Sequence, residues 1–259
     1  ITMTERAILA ALVGLTPALA AFAVPAVAET SDIYLTMTGI KSATTAPGGL
    51  AFVSGAWSSD RVNVSGGSGL IDRTDGSMSL GAGFGSAETG IGFQVTANIT
   101  SLYDDFGDSG YLSFKASRRV TPEGQVPVYL GVSADNLVPW GDSSQNEESL
   151  DLIVSVFPTI QTASGPKPLM ITLGAGTNIR NYGQDPGGYF GIGMGLTEHL
   201  AVSAAWTGDE VALGTGFRLD GLPNMHFTAS LDDAFDQNDA RRVTLQATWV
   251  TDKLFGGRF

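Results

Sequence analysis

Residues 189–196 read YFGIGMGL, and their side chains alternate strictly between two kinds. Large apolar residues occupy the even positions, and glycine occupies positions 191, 193 and 195. Because successive side chains of a β-strand point to opposite faces, this strand would have one apolar face and one bare face. Membrane hydrocarbon suits the apolar face. The lumen of a closed barrel suits the glycine face, where a small barrel needs room or where a neighbouring loop folds in.

The same period-two alternation recurs along the chain, whereas helical periodicity is absent. Residues 91–100 and 243–249 are two clear examples, with apolar residues at odd positions and polar or glycine residues between them. We count about twelve such segments of about eight to twelve residues each, the length that a tilted transmembrane strand needs. The pattern predicts an all-β chain that forms a single transmembrane, antiparallel, up-and-down β-barrel.

The connections between these segments alternate between long and short through most of the chain. Outer-membrane barrels have long external loops and short periplasmic turns, so the alternation indicates that both chain termini are periplasmic. Two connections fit less well. Residues 158–167 are long for a periplasmic turn, and residues 208–210 are short for an external loop.

The N-terminal residues resemble an export signal. Arg6 supplies a positive charge, residues 7–24 form an apolar run, and AVA at residues 26–28 offers a cleavage site. A transmembrane anchor is the alternative, but Pro17 and the small residues favour cleavage. We therefore predict three parts, which are a cleaved signal peptide (1–28), an N-terminal periplasmic segment (29–47) and the β-barrel (48–259).

Composition excludes several classes of function. The chain has 14 basic and 26 acidic residues, a net charge of −12, which argues against nucleic acid as a partner. It has no cysteine, so disulfides and thiolate metal sites are excluded. No cofactor is expected.

The chain ends on Phe259, with apolar or aromatic residues at several odd positions before it. This ending resembles the assembly signal of bacterial outer-membrane proteins, although Lys253 and Gly257 interrupt it. We therefore expect the barrel-assembly machinery, outer-membrane lipid and lipopolysaccharide as partners, and the outer membrane as the location.

Four stretches resemble an uncharacterised cyanobacterial-type family of outer-membrane β-barrels and, more distantly, the YjbH-type barrels associated with exopolysaccharide. The resemblance implies a barrel in the outer membrane and says little about cargo. The stretches are SLYDDFGDSGYLSFKASRRV (101–120), YLGVSADNLVPWGDS (129–143), AVSAAWTGDEVALGTGFRLDGLPN (201–224) and NDARRVTLQATW (238–249).

Charged residues at positions of the polar face are predicted to point into the lumen. In an open lumen they would tune ion selectivity, and in a closed lumen they would pair and fill it. The predicted lumen-facing residues are Lys115, Arg119, Asp151, Arg218, His226 and Arg242.

No catalytic or metal site is predicted. His226 has Thr228 where membrane-embedded hydrolases have a serine, and no nearby asparagine completes a triad. The acidic residues of 232–239 lack the EF-hand pattern, so a solvated loop is favoured over a calcium site.

The favoured function is porin-like passage of small solutes or a part in envelope polysaccharide export. Three alternatives stay open at this point, namely a plugged barrel with a structural or adhesive role, a soluble exported glycan-binding β-sandwich and a membrane-embedded hydrolase. Against the sandwich, the faces opposite the apolar rows carry Gly, Ser, Thr and Asn rather than the Lys and Glu of a soluble surface.

Overall fold

The computed structural model describes residues 34–60, 75–100, 102 and 106–251. In these ranges the regular structure is β-strand, apart from one 3-10 helix at Gly141–Gln145. No helix in the described part of the chain is long and apolar enough to cross a membrane. The strands are β1 (Ala51–Ser58), β2 (Asp75–Gly85), β3 (Gly92–Ile99), β4 (Gly110–Arg119), β5 (Val128–Trp140), β6 (Ser149–Val156), β7 (Thr159–Thr162), β8 (Gly165–Arg180), β9 (Asp185–Gly195), β10 (Leu200–Trp206), β11 (Val211–Leu219), β12 (Leu222–Asp232) and β13 (Arg242–Thr251).

One antiparallel sheet closes on itself. Strands β1–β6 and β8–β13 pair with their chain neighbours, and the ring is completed by β1 with β13 and by β6 with β8. The registers include Ala51↔Thr251 at one closure and Asp151↔Gly176 at the other. The predicted all-β, twelve-strand, up-and-down barrel is therefore confirmed, and the two-sheet sandwich is wrong.

The barrel is apolar outside and polar inside. Leu152, Leu173 and Phe190 point outward and are 61%, 59% and 57% exposed. Ser79 and Thr172 point inward and are fully buried. An exposed apolar surface that runs round the whole barrel is far larger than the patches found on soluble monomers, and hydrocarbon is the medium that covers it.

The two ends of the barrel differ. We call the end where β1 begins and β13 finishes the inner end, and the opposite end the outer end. Among the inner-end turns are residues 196–199 and 220–221, and among the outer-end loops are residues 141–148 and 233–241. The long inner connection at 158–167 is explained by a hairpin, because β7 pairs with the start of β8 beyond the barrel wall.

The N-terminal segment differs from its predicted periplasmic placement. Residues 34–47, which we call the luminal segment, lie inside the barrel, and most of them are buried. The segment enters at the inner end, where the N–H of Tyr34 donates to the carbonyl of Thr197 at 3.3 Å. It returns to the same end, where the N–H of Gly48 donates to the carbonyl of Gly85 at 3.0 Å, and then continues into β1.

Two predictions concern residues outside the described ranges. These are the signal peptide (1–28) and the role of Phe259 in assembly.

A charged substitution on the exposed apolar surface tests whether hydrocarbon covers the outside of the barrel wall. Leu173→Lys places an ammonium group near the middle of β8, and we expect it to destabilise the folded barrel by about 2–4 kcal/mol. Leu222→Lys is the matched control, since Leu222 is similarly exposed but lies beside the inner turn at 220–221. Urea unfolding in lipid vesicles measures both variants. Equal destabilisation of the two would contradict the assignment.

Candidate functional site in the barrel lumen

The glycine row of β9 faces the luminal segment. A Cβ on Gly191 would lie 2.8 Å from Cδ1 of Ile40, and a Cβ on Gly193 would collide with the carbonyl oxygen of Thr36. Both glycines are buried, whereas Phe190 and Ile192 between them point outward. The alternation in residues 189–196 therefore joins a lipid-facing row to a row that lets another backbone approach closely.

Glycines of β2, β5 and β11 also face this segment. In each case a Cβ would lie within 3 Å of an atom of the luminal segment, so a larger residue would push the segment away. The segment thus fits against the wall by backbone contact. The pairs are Gly83 with Ala46, Gly131 with Ala43, Gly214 with Thr38 and Gly216 with Tyr34.

A small apolar core holds one side of the luminal segment. Met37, Ile40 and Ala43 are at most 3% exposed and pack against inward side chains of the barrel wall. These wall residues come from β5, β6, β8, β9 and β10, so the core lies on one side of the lumen. They are Tyr129, Ile153, Met170, Tyr189 and Ala205.

Polar contacts fix the register of the segment. The N–H of Ala43 donates to Oγ of Ser155 at 2.9 Å, and the N–H of Ala46 donates to Oε1 of Gln94 at 2.9 Å. The hydroxyls of Thr38 and Ser203 are 2.9 Å apart. Buried backbone groups that leave water need such partners, and here the wall supplies them.

An ion cluster lies at the tip of the segment. Nζ of Lys41 contacts Oδ2 of Asp135 at 2.5 Å and also contacts Oδ2 of Asp151. Lys115 donates to the carbonyl oxygens of Ser42, at 3.1 Å, and Thr44, at 3.4 Å. The two lysines therefore connect the luminal segment to β4, β5 and β6.

A second cluster closes the inner end. The ring of Tyr34 stacks on the imidazole of His226 with 5.7 Å between centroids. The guanidinium carbon of Arg218 lies 4.4 Å from the centroid of the Tyr34 ring, in cation–π geometry. Nδ1 of His226 is buried and has no hydrogen-bond partner among the described residues, so no described carboxylate or amide orients this imidazole as the third member of a triad would.

The third cluster lies at the outer end. Arg242 makes a two-pronged contact with Glu210, with Nη1–Oε2 at 3.1 Å and Nη2–Oε1 at 2.5 Å. Its Nε is 3.8 Å from Oδ2 of Asp232. Such paired contacts fix both side chains more firmly than a single contact does.

The structure thus distributes the six predicted residues over different depths. Lys115 and Asp151 meet at the tip of the segment, Arg218 and His226 meet at the inner end, and Arg242 lies at the outer end. Arg119 lies instead at the inner rim, where it contacts Glu88 at 3.0 Å and donates to the carbonyls of Pro122 and Gln125.

Sequence reasoning missed the partners of these residues. Asp135 shares the parity of Gly131 and Ser133 on β5, a signal that could have revealed it. Lys41 lies in a segment without strand periodicity, and nothing in the pattern placed it in the lumen. Glu210 is in a short turn next to β11, where alternation gives no direction.

A cavity of about 310 Å³ lies between the luminal segment and the outer end. Its floor is Gly39, Ile40 and Lys41, and its outer rim includes Glu147 and Asp209. Phe52 and Gln94 line its deepest part beside the segment. We call this cavity the outer chamber. None of the Tyr34 cluster lines it, so it is a pocket open to the outer side.

The loop 233–241 is organised by one carboxylate. Asp233 accepts hydrogen bonds from the N–H groups of Gln237, Asn238 and Ala240 at 2.7, 3.0 and 3.0 Å. Burial alone would raise the pKa of Asp233, but these donors and the Arg242 charge hold the pKa below its usual value. Among the described residues no group of three or more histidine and acidic side chains could hold a metal ion.

A larger residue at the glycine row is expected to expel the luminal segment. Gly193→Val would collide with the backbone of Thr36 at an overpacking cost of about 1–3 kcal/mol. Trypsin, which cleaves after lysine, should then cut after Lys41 about tenfold faster than in the parent, as read by mass spectrometry.

Gly221→Val is the control, since a Cβ at Gly221 meets nothing within 4 Å. Unchanged gel mobility of the unheated protein would show that the barrel itself is closed in both variants. An equal cleavage rate in both would contradict the seating of the segment on Gly193.

Acid should open the loop 233–241. Because the pKa of Asp233 is lowered by folding, its stabilising effect is present above the unfolded value of about 3.9 and is lost as pH falls through the lower folded value. Hydrogen-exchange protection factors of the Gln237, Asn238 and Ala240 amides should fall below about pH 4. In Asp233→Asn, protection should be low at every pH. An equally acid-sensitive loop in this variant would contradict the assignment.

No protein-family model matches the chain. No curated protein is significantly similar to it. One solved structure with a similar fold is the crystal structure of the Acinetobacter baumannii outer membrane protein Omp33. The sequence identity is 14% and the TM-score 0.40, over 77% of this chain and 96% of that chain. Values this low carry no argument about activity, and the barrel assignment rests on the strand pairing described above.

Proposed function

We propose that the protein is an outer-membrane barrel that is closed at rest by its luminal segment and passes small polar solutes when that segment leaves its seat. The supporting observation is the polarity of the wall where the segment does not reach. Ser54 and Thr248 bond each other at 2.6 Å, and Ser79 bonds Asn98 at 2.7 Å. These side chains satisfy one another, so a hydroxyl-lined bore would remain after the segment departs.

The outer membrane is the proposed location because the closed sheet leaves no unpaired strand edge and its exterior is apolar. Lipid and lipopolysaccharide would cover that exterior. Insertion through the barrel-assembly machinery, with Phe259 as the recognised terminus, belongs to the same proposal. No enzymatic step is part of it.

The closed state should dominate. Burying Met37 and Ile40 contributes about 1.5–3 kcal/mol for each side chain, which together favours the seated segment by more than a hundredfold. Conduction would therefore consist of rare openings, or it would need a signal that favours the displaced segment.

A permanently closed barrel with a binding or adhesive outer face is the second candidate. The observation that favours it is the outer chamber, which is complete while the segment is seated. A part in polysaccharide export, suggested by the resemblance to YjbH-type barrels, stays a prediction that no contact in the described residues addresses.

A disulfide lock tests passage directly. The chain has no cysteine, and the hydroxyls of Thr38 and Ser203 are 2.9 Å apart. Thr38→Cys with Ser203→Cys should therefore tie the luminal segment to β10 when oxidised. In planar bilayers the reduced protein should show brief openings, and oxidation should abolish them.

The control is a cross-link of similar geometry within the wall, Ser54→Cys with Thr248→Cys, whose hydroxyls are 2.6 Å apart. Oxidation of this pair should leave the openings unchanged. Openings that persist in the oxidised Thr38–Ser203 pair would place the conduction path elsewhere. A reduced protein without openings at any voltage would overturn passage in favour of the closed barrel.

A further inference from the structure

We infer that the outer chamber is a binding site for a small solute that carries an ammonium group. The site is complete with the luminal segment in place, so the inference does not depend on solute passage. It stands on three features of the chamber, which are an unpaired acceptor, a surplus of carboxylates and an aromatic lining.

The unpaired acceptor is Asn136. Its Nδ2 donates to the carbonyl oxygens of Ser143, Asn146 and Glu147, at 3.2, 2.6 and 3.4 Å. Only the amide nitrogen can donate to carbonyls, so these contacts fix the orientation of the amide. Oδ1 is consequently fixed as well. It has no hydrogen-bond partner among the described residues, although Asn136 lines the chamber and is only 7% exposed.

The backbone is distorted to place this amide. Asn136 and Val138 have φ of 56° and 47°, in a region that β-branched residues avoid, and the pairing of β4 with β5 shifts register beside them. A bulge of this kind re-aims a side chain at a cost in strain. Here it turns Asn136 inward, below the loop of residues 141–148.

Two further buried polar atoms without hydrogen-bond partners lie deeper in the lumen. The hydroxyl of Tyr189 and Oδ1 of Asp151 are buried without hydrogen-bond partners among the described residues. Tyr189 lines the chamber, and Asp151 uses its other oxygen for Lys41. Buried polar atoms without partners are rare in native proteins, so two of them on residues that line one cavity, Oδ1 of Asn136 and the hydroxyl of Tyr189, indicate groups that a ligand or water would satisfy.

The charges of the chamber favour a cation. Five carboxylates line it against three cationic side chains. Of the three cations, Lys41 and Arg242 are each shared by two carboxylates, and Lys115 faces backbone carbonyls. Glu147 and Asp209 form no ion pair with a cationic side chain of the described residues. The lining carboxylates are Asp135, Glu147, Asp209, Glu210 and Asp232.

An ammonium group fits these features better than an anion or a neutral sugar does. It donates up to three hydrogen bonds and accepts none, as the Oδ1 of Asn136 and the carboxylates require. Tyr111, Tyr182 and Tyr189 also line the chamber, and their rings attract cations. The volume of about 310 Å³ lies at the lower end of small-molecule sites, so the solute is small.

Calorimetric titration of the full barrel in detergent tests the site. Three probes share a four-carbon chain and carry positive, neutral and negative end groups, namely 1,4-diaminobutane, 1,4-butanediol and succinate. We expect saturable binding of the diamine alone. Glu147→Gln removes an exposed rim carboxylate and should weaken that binding about fivefold, the effect of one charge at contact distance in water.

Glu148→Gln is the matched control, because it makes the same change in net charge at an exposed neighbour that does not line the chamber. The affinity of this variant for the diamine should stay within about twofold of that of the parent protein. Equal affinity for the diamine and the diol, or equal weakening by the two substitutions, would overturn the inference. If the barrel binds the diamine but never conducts in planar bilayers, the binding site is supported and only the proposal of solute passage is contradicted.

Discussion

Contact between the luminal segment and the glycine-rich wall is the interaction on which the rest of this structure depends. A barrel of about eight strands is filled by its own side chains, whereas a larger barrel encloses a space that must be filled or left to water. Here the twelve strands carry Gly, Ser and Thr at many inward positions, which widens that space further. Gly191 and Gly193 let residues 34–47 occupy it at backbone distance. Without this segment the barrel would be an open tube. With the segment in place the barrel is closed, and the outer chamber remains on one side of it.

The luminal segment packs closely against one side of the lumen and leaves space on the other, and the two sides have different roles. Its apolar side packs against β5, β6 and β8–β10, where Ile153 and Met170 supply the core. Toward β1–β4 the inward side chains are polar and bond one another, and the outer chamber reaches down beside the segment as far as Gln94. The apolar side therefore holds the segment. The polar side leaves room for the outer chamber beside the segment.

Alternation in the sequence was sufficient for the barrel and for the two faces of its strands. Local chemistry decides these features, because a strand of period two can turn Lys115 inward only if Phe114 turns outward. The place of residues 34–47 was not predictable in this way. Their position follows from contacts distant in sequence, such as Ala43 with Ser155, and the segment lacks any strand or helix pattern of its own. The glycine row left two explanations open, room in a small barrel or a loop that folds in, and the contacts of Gly191 and Gly193 with the luminal segment decide for close approach. The position of Arg119 at the inner rim was not predicted, because its carbonyl acceptors lie in a turn next to β4, where the period-two pattern does not apply.

The ion cluster at the tip sets the electrostatic cost of displacing the segment. Withdrawal of Lys41 would leave the carboxylates of Asp135 and Asp151 without their ammonium partner, and buried charges left unpaired are costly. Lys115 changes this balance. It already interacts electrostatically with both carboxylates, and departure of the segment would free its Nζ from the carbonyls of Ser42 and Thr44. The ammonium of Lys115 in the wall can thus replace the ammonium of Lys41 in the segment. Water that enters the bore would solvate the remaining charge. The barrier to opening then resides mainly in the apolar core around Met37 and Ile40, since exposure of these two side chains is a loss that no wall residue can replace.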